Sequence, residues 1–227
     1  MNNNTPINIR IKFKKVGNLQ YISHLDLVRT MHKIVTRSHL PLWYTQGFNP
    51  KPKMVFAAPL SIGTESLAEF MDLRLSEHVD PETVVRALNV NMTDELVALE
   101  AYYPTAPLTD LAWLAYTITV DTVGASDMLA ETCNKAFTTD KMIITKKNST
   151  DEIDIKPLIK EAVTTFSDGK LVISCILSAS PSSFLNPEYV VKYLRSACSI
   201  LSDPNLMNES YGILRTHAFK CDMTEFR

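Results

Sequence analysis

Arg29, Lys33 and Arg37 recur at intervals of four residues, and no acid stands between them. On a helix this spacing puts three cations on consecutive turns of one face. They repel one another there by a few tenths of a kcal/mol per pair, so stability alone would favour interspersed glutamates. A phosphate backbone is the common ligand for such a stripe, against the plainer alternative of a solvated face. A second basic element follows in Trp43-Tyr44-Thr45-Gln46-Gly47-Phe48-Asn49-Pro50-Lys51-Pro52-Lys53. Pro50 and Pro52 fix their own φ and push the residues before them towards extended geometry, which presents Lys51 and Lys53 on a stiff loop. Trp43, Tyr44 and Phe48 interleaved with lysines suit base stacking beside phosphate neutralisation; the alternative is that Trp43 and Phe48 pack beneath the loop.

Acid–base chemistry has two candidates, Asp26 and His24. Asp26 is the only acid among the first sixty residues, and surrounding cations would hold it ionised, as a general base or nucleophile requires. Its position three residues after Ser23 equally describes a helix cap. His24, His32 and His39 lack the spacing and acidic partner of a metal site, and no H-E-x-x-H occurs. Neither G-x-G-x-x-G nor G-x-x-x-x-G-K-[ST] is present, so a glycine-rich nucleotide cradle is excluded. Cys133, Cys175, Cys198 and Cys221 form no C-x-x-C, which argues against a zinc ribbon or an iron–sulfur centre. No cofactor is expected.

The charges are segregated along the chain. Residues 1–60 carry nine Lys+Arg against one acid, a net +8, and residues 61–227 carry −10, giving the −2 of the whole. A pI near 6.2 conceals this. At 227 residues, with 45 % hydrophobic and 21 % charged residues, the composition is that of a globular protein able to bury a sizeable core. Dispersed cysteines and the absence of any long apolar run predict a cytoplasmic protein without a membrane span.

The elements that must position these groups follow from periodicity. Ile7, Ile9, Ile11 and Phe13 alternate with Asn8, Arg10, Lys12 and Lys14, a strand with one apolar and one basic face. Lys12 and Lys14 are further phosphate candidates, although this face lacks the aromatics of a single-strand RNA reader, and Asp72 could instead pair with Lys12 across the sheet. A helix opened by Ser23 runs to about Ser38. Strands over 53–60 and 68–76, a helix begun by Pro81 and a strand over 95–102 complete a β-α-β-β-α-β series. A proline-bearing linker at 103–111 precedes a less regular series: strand 113–121, helix 125–138, strand 141–146, strand 171–178, helix 187–201 and strand 211–219. The segment 148–166 reads as an inserted strand. The expected class is α+β, two tandem ferredoxin-like units with antiparallel sheets, residues 1–104 and 105–227. Helix and strand cations would then lie on opposite sides of a layer pair, requiring two contact areas or a groove.

The runs Tyr21-Ile22-Ser23-His24-Leu25-Asp26-Leu27-Val28-Arg29, Leu40-Pro41-Leu42-Trp43-Tyr44, Gln46 to Met54, Ala58 to Ser66 and Glu69-Phe70-Met71-Asp72 resemble the signature of the bacterial radical-SAM-linked proteins. The resemblance is closest over residues 7–76. It implies a domain of unknown function found beside, or fused behind, a radical SAM enzyme with a B12-binding-type domain. The neighbourhood of ribonuclease G and ribosomal protein genes in that family implies RNA or ribosomal partners. The cluster-binding C-x-x-x-C-x-x-C is absent, so the resemblance implies a companion of the radical enzyme. Lys51 stands where the family most often has His between the two prolines, an exchange that preserves a phosphate contact but not acid–base chemistry. The resulting expectation is a non-catalytic RNA- or ribosome-binding accessory protein. An RNA-processing or RNA-modifying enzyme using Asp26 and His24, or a protein-only scaffold for the radical SAM partner, are the alternatives.

Overall fold

The computed structural model describes residues 5–146, 150–180, 182–205 and 207–227. The Asn-rich start at 2–4 and the first two residues of the expected insertion, 148 and 149, lie outside the described residues. The protein is a mixed α+β chain whose strands mostly pair antiparallel, with four α-helices among the described residues. It divides into two compact units. One contains the chain up to Asp110 together with Phe226–Arg227, and the other is Leu111–Glu225.

In the first unit the order is β1 (Ile7–Lys15), α1 (His24–Arg37), β2 (Met54–Phe56), β3 (Thr64–Leu75), α2 (Pro81–Asn89) and β4 (Leu96–Tyr102). The sheet runs β4-β1-β3-β2. Alternation along β1 does what the sequence pattern requires: Ile9, Ile11 and Phe13 enter the core with Leu27, Met31, Ile34 and Val35 of α1 and with Val84 and Leu88 of α2. Helix α1 begins where the Ser23 hydroxyl accepts from the Asp26 amide, and it ends at His39, whose φ is +56°. Helix α2 is capped by Asp80 and carries Pro81 in its first turn. A 3-10 turn over Gly17–Tyr21 follows β1; Gly17 opens it at φ +62°, which favours glycine, and a Cβ there would make the Glu95 carboxylate move aside.

The register corrects one expectation. Asp72 lies opposite Arg10, not Lys12; Lys12 lies opposite Phe70. Arg10 is fully buried and forms a bidentate ion pair with Asp72. The supposedly open, basic face of β1 is thus partly covered, with Phe226 stacked against the Arg10 guanidinium at 4.9 Å.

In the second unit the order is β5 (Trp113–Asp121), α3 (Asp127–Phe137), β6 (Ile143–Thr145), β7 (Glu152–Asp154), β8 (Ile159–Ser167), β9 (Lys170–Ser178), α4 (Glu188–Cys198) and β10 (Ser210–Phe219). Its strands run β10-β5-β9-β8. The expected strand 141–146 does not join this sheet. It supplies β6, which pairs only with β7 in a separate two-stranded sheet, and the second sheet strand is β8, from within the segment read as an insertion.

Each unit closes an edge strand in the same way. The Asn89 carboxamide donates to the Ala98 carbonyl at 2.9 Å and accepts from the Ala98 amide at 2.8 Å on β4. Asn134 of α3 does the same to Thr164 on β8, at 2.8 and 2.7 Å. A side-chain amide so placed satisfies backbone groups that an edge strand otherwise leaves open.

Candidate nucleic-acid interface

Because Leu27, Met31, Ile34 and Val35 face inward, helical geometry turns Arg29, Lys33, Thr36 and Arg37 outward, and all four are exposed. Arg29 is held at its N-terminal end by Asp26, Nη1 to Oδ1 at 3.0 Å. Asp26 also accepts from the Ser23 hydroxyl at 2.7 Å while its own amide donates to Ser23. The Ser23 hydrogen bond first, and then the Arg29 guanidinium, hold the Asp26 carboxyl below the ordinary carboxylate range. Lys33 and Arg37 have no carboxylate partner among the described residues.

Residues 41–53 form an arm anchored on the end of β3. The Trp43 amide donates to the Arg74 carbonyl at 2.9 Å, the Arg74 amide to Lys53 at 3.1 Å, and the Ser76 amide to Pro41 at 2.8 Å. The arm doubles back on itself. The Thr45 amide donates to the Lys51 carbonyl at 2.9 Å, the Lys53 amide to Trp43 at 3.3 Å, and the Lys51 amide to the Thr45 hydroxyl at 3.1 Å. Gln46 to Pro50 are left as an exposed tip. Gly47 turns the chain there with φ +136°, a conformation that L side chains rarely adopt. Pro52 is buried, Trp43 is half-buried and Tyr44 is exposed. Phe48 has a relative exposure of 113 %, so its ring stands entirely in solvent. Lys51 and Lys53, like Lys33 and Arg37, have no acidic partner among the described residues.

The arm approaches α1 through His32. Burial, and then the positive charge of Lys51, push the His32 imidazole below its ordinary value, so Lys51 lies close enough to act on the outer flank of α1. Lys12 and Lys14 belong to β1. They alternate with the core-facing Ile11 and Phe13 and are half-buried, and the Lys12 ammonium lies 6.0 Å from the Phe70 ring centroid.

His24 packs edge-on against Phe56, ring centroids 5.4 Å apart. Among the described residues no group of His, Cys, Asp and Glu could hold a metal ion, and no helix is long and apolar enough to cross a membrane. Sequence reasoning did not single out Gln46 and Asn49, the exposed amides on either side of Phe48. Their place around one aromatic, in a segment punctuated by Gly47 and Pro50, was the available signal. It also had no means of linking His32 to Lys51, which are brought together only by the fold.

The first unit thus combines cations without carboxylate partners among the described residues on a helix face with an exposed aromatic arm. Residues 8–187 match a family described as an uncharacterized protein conserved in bacteria, DUF2344, and the chain belongs to that family. No curated protein matches the chain.

Proposed function

We propose that this protein is an RNA- or ribosome-binding accessory protein that works in the cytoplasm with a radical SAM enzyme and holds phosphates rather than carrying out chemistry. Lys33, Arg37, Lys51 and Lys53 are the phosphate contacts, with Arg29 at the margin because Asp26 already engages it. The observation that supports the reading is that these four cations, on α1 and on the arm of the first unit, have no carboxylate partner among the described residues. An arrangement that costs self-repulsion is retained where a ligand neutralises it. The radical SAM partner rests on the sequence resemblance over residues 7–76, within the span of the family match. The element order and strand order within each unit support reading the two as a tandem pair of ferredoxin-like units.

Asp26 accepts from the Ser23 cap of α1 and pairs with Arg29, and His24 packs on Phe56. Both candidate catalytic groups thus have structural work to do, which supports binding over turnover. The test is absorbance at 260 nm of freshly purified protein, with sequencing of the nucleic acid it carries, followed by partner capture before and after nuclease. RNA that co-purifies, and is lost from a variant carrying Lys33→Glu and Arg37→Glu, supports the proposal. A radical SAM partner retained after nuclease, with no RNA at any stage, replaces it with the protein-only scaffold.

A further inference from the structure

We propose that the arm is a base-stacking probe that selects unpaired nucleotides, with Phe48 as the platform and the Gln46 and Asn49 amides reading the edge of the stacked base. This inference rests on the RNA-binding reading and narrows it to a substrate class. Phe48 is the most exposed large apolar residue among the described ones, and leaving a whole phenyl ring in water forgoes the burial that normally places aromatics inside. Isolated exposed apolar residues are ordinary on protein surfaces, but this one is presented. The paired stems at 43–45 and 51–53 hold the tip, Pro50 and Pro52 restrict the chain, and Gly47 makes the turn. Little freedom is left to lose when a ligand arrives.

The surroundings decide the kind of ligand. Lys51 follows the tip directly, Lys53 lies at the base of the arm, and Lys33 and Arg37 are exposed on α1. Cations without carboxylate partners among the described residues are complementary to a polyanion. A base in a duplex is already stacked on both sides and offers no face to a ring. An unpaired base does, and it also frees the Watson–Crick edge that carboxamides recognise. Trp43, half-buried at the root of the arm, shapes the stem and does not stack; Tyr44, exposed beside it, flanks the path of the strand.

The experiment compares oligouridylate, whose bases stack weakly among themselves, with a fully paired A·U duplex of equal length, by fluorescence anisotropy at low salt. Phe48→Ala is expected to weaken oligouridylate binding about tenfold or more and to leave duplex binding within about twofold, because the phosphate contacts are untouched. Phe48→Trp restores the single-strand affinity. The ring is fully exposed, so neither substitution removes a core contact. Phe48→Ala weakening both probes alike, or neither, overturns the probe while the phosphate-binding reading stands. Wild-type protein that binds neither RNA overturns both.

Discussion

Arg10 and Asp72 face each other across β1 and β3 in a buried bidentate pair, Nε to Oδ1 at 2.7 Å and Nη2 to Oδ2 at 3.1 Å. Nη2 also donates to the Ala106 carbonyl at 2.9 Å, and Asn8 donates to the same carboxylate at 2.8 Å. This pair separates the cations that belong to the fold from those left for a ligand. Arg10 contributes to the positive sum of the first sixty residues yet offers nothing to a partner, while Lys33, Arg37, Lys51 and Lys53 stand unneutralised.

Removing one member of the pair strands the other charge in the interior. Asp72→Ala should therefore destabilise the protein by about 3–5 kcal/mol in urea unfolding. At temperatures where the variant remains folded, its RNA affinity should match that of wild type.

Asn89 and Ala98 make a different structural prediction. Asn89→Ala leaves the Ala98 amide and carbonyl without their side-chain partners, at a cost of about 1–3 kcal/mol. Hydrogen exchange at the Ala98 amide should accelerate more than at its neighbours in β4. Asn134→Ala should do the same at Thr164 in the second unit.

His32 reports on the interface itself. Burial first and the Lys51 charge second hold its pKa below 6.5, so the folded protein takes up this proton less readily than the unfolded chain. Its contribution to stability is whole above about pH 6.5 and is lost as the pH falls through the folded value. In an NMR titration Lys51→Gln should move the His32 midpoint upward, and RNA bound at Lys51 should move it further in the same direction.

Asp26 is tested at its cap. Ser23→Ala should cost about 1 kcal/mol of stability and let the Asp26 carboxyl rise towards 3.8, since the Ser23 hydroxyl is the foremost cause of its depression. Being depressed, this group supports the fold above pH 3.8 and ceases to do so as the pH falls through its folded value. Asp26→Asn should leave RNA binding intact, as expected of a residue that braces the Ser23 cap.

Much of the first unit was legible because its signals are local. Alternation along Ile7 to Phe13 marked β1, Ser23 marked the start of α1, and Pro81 marked α2. The spacing of Arg29, Lys33 and Arg37 gave the exposed stripe directly. What failed depends on pairing over long distances. The Arg10–Asp72 register differs by two residues from the expected Lys12–Asp72 pairing, and alternation fixes which face a side chain takes but not which neighbour it meets. Residues 141–146 carry as good a strand pattern as β8, yet only β8 enters the sheet, because partners on β9 decide the matter. The return of Phe226–Arg227 to the first unit had no local signal at all. Of the aromatic arm, the proline stiffness could be read in advance, whereas the solvent position of Phe48 could not, since the same ring packed beneath the loop would leave the sequence unchanged.

The salt dependence of RNA affinity tests the central claim most directly. With four or five phosphates neutralised, log K against log salt should fall with a slope of about −3 on the single-strand coefficient. Replacing Lys33, Arg37 and Lys51 together by glutamine should flatten that slope by about 2. An affinity that ignores both salt and the triple substitution would contradict the account.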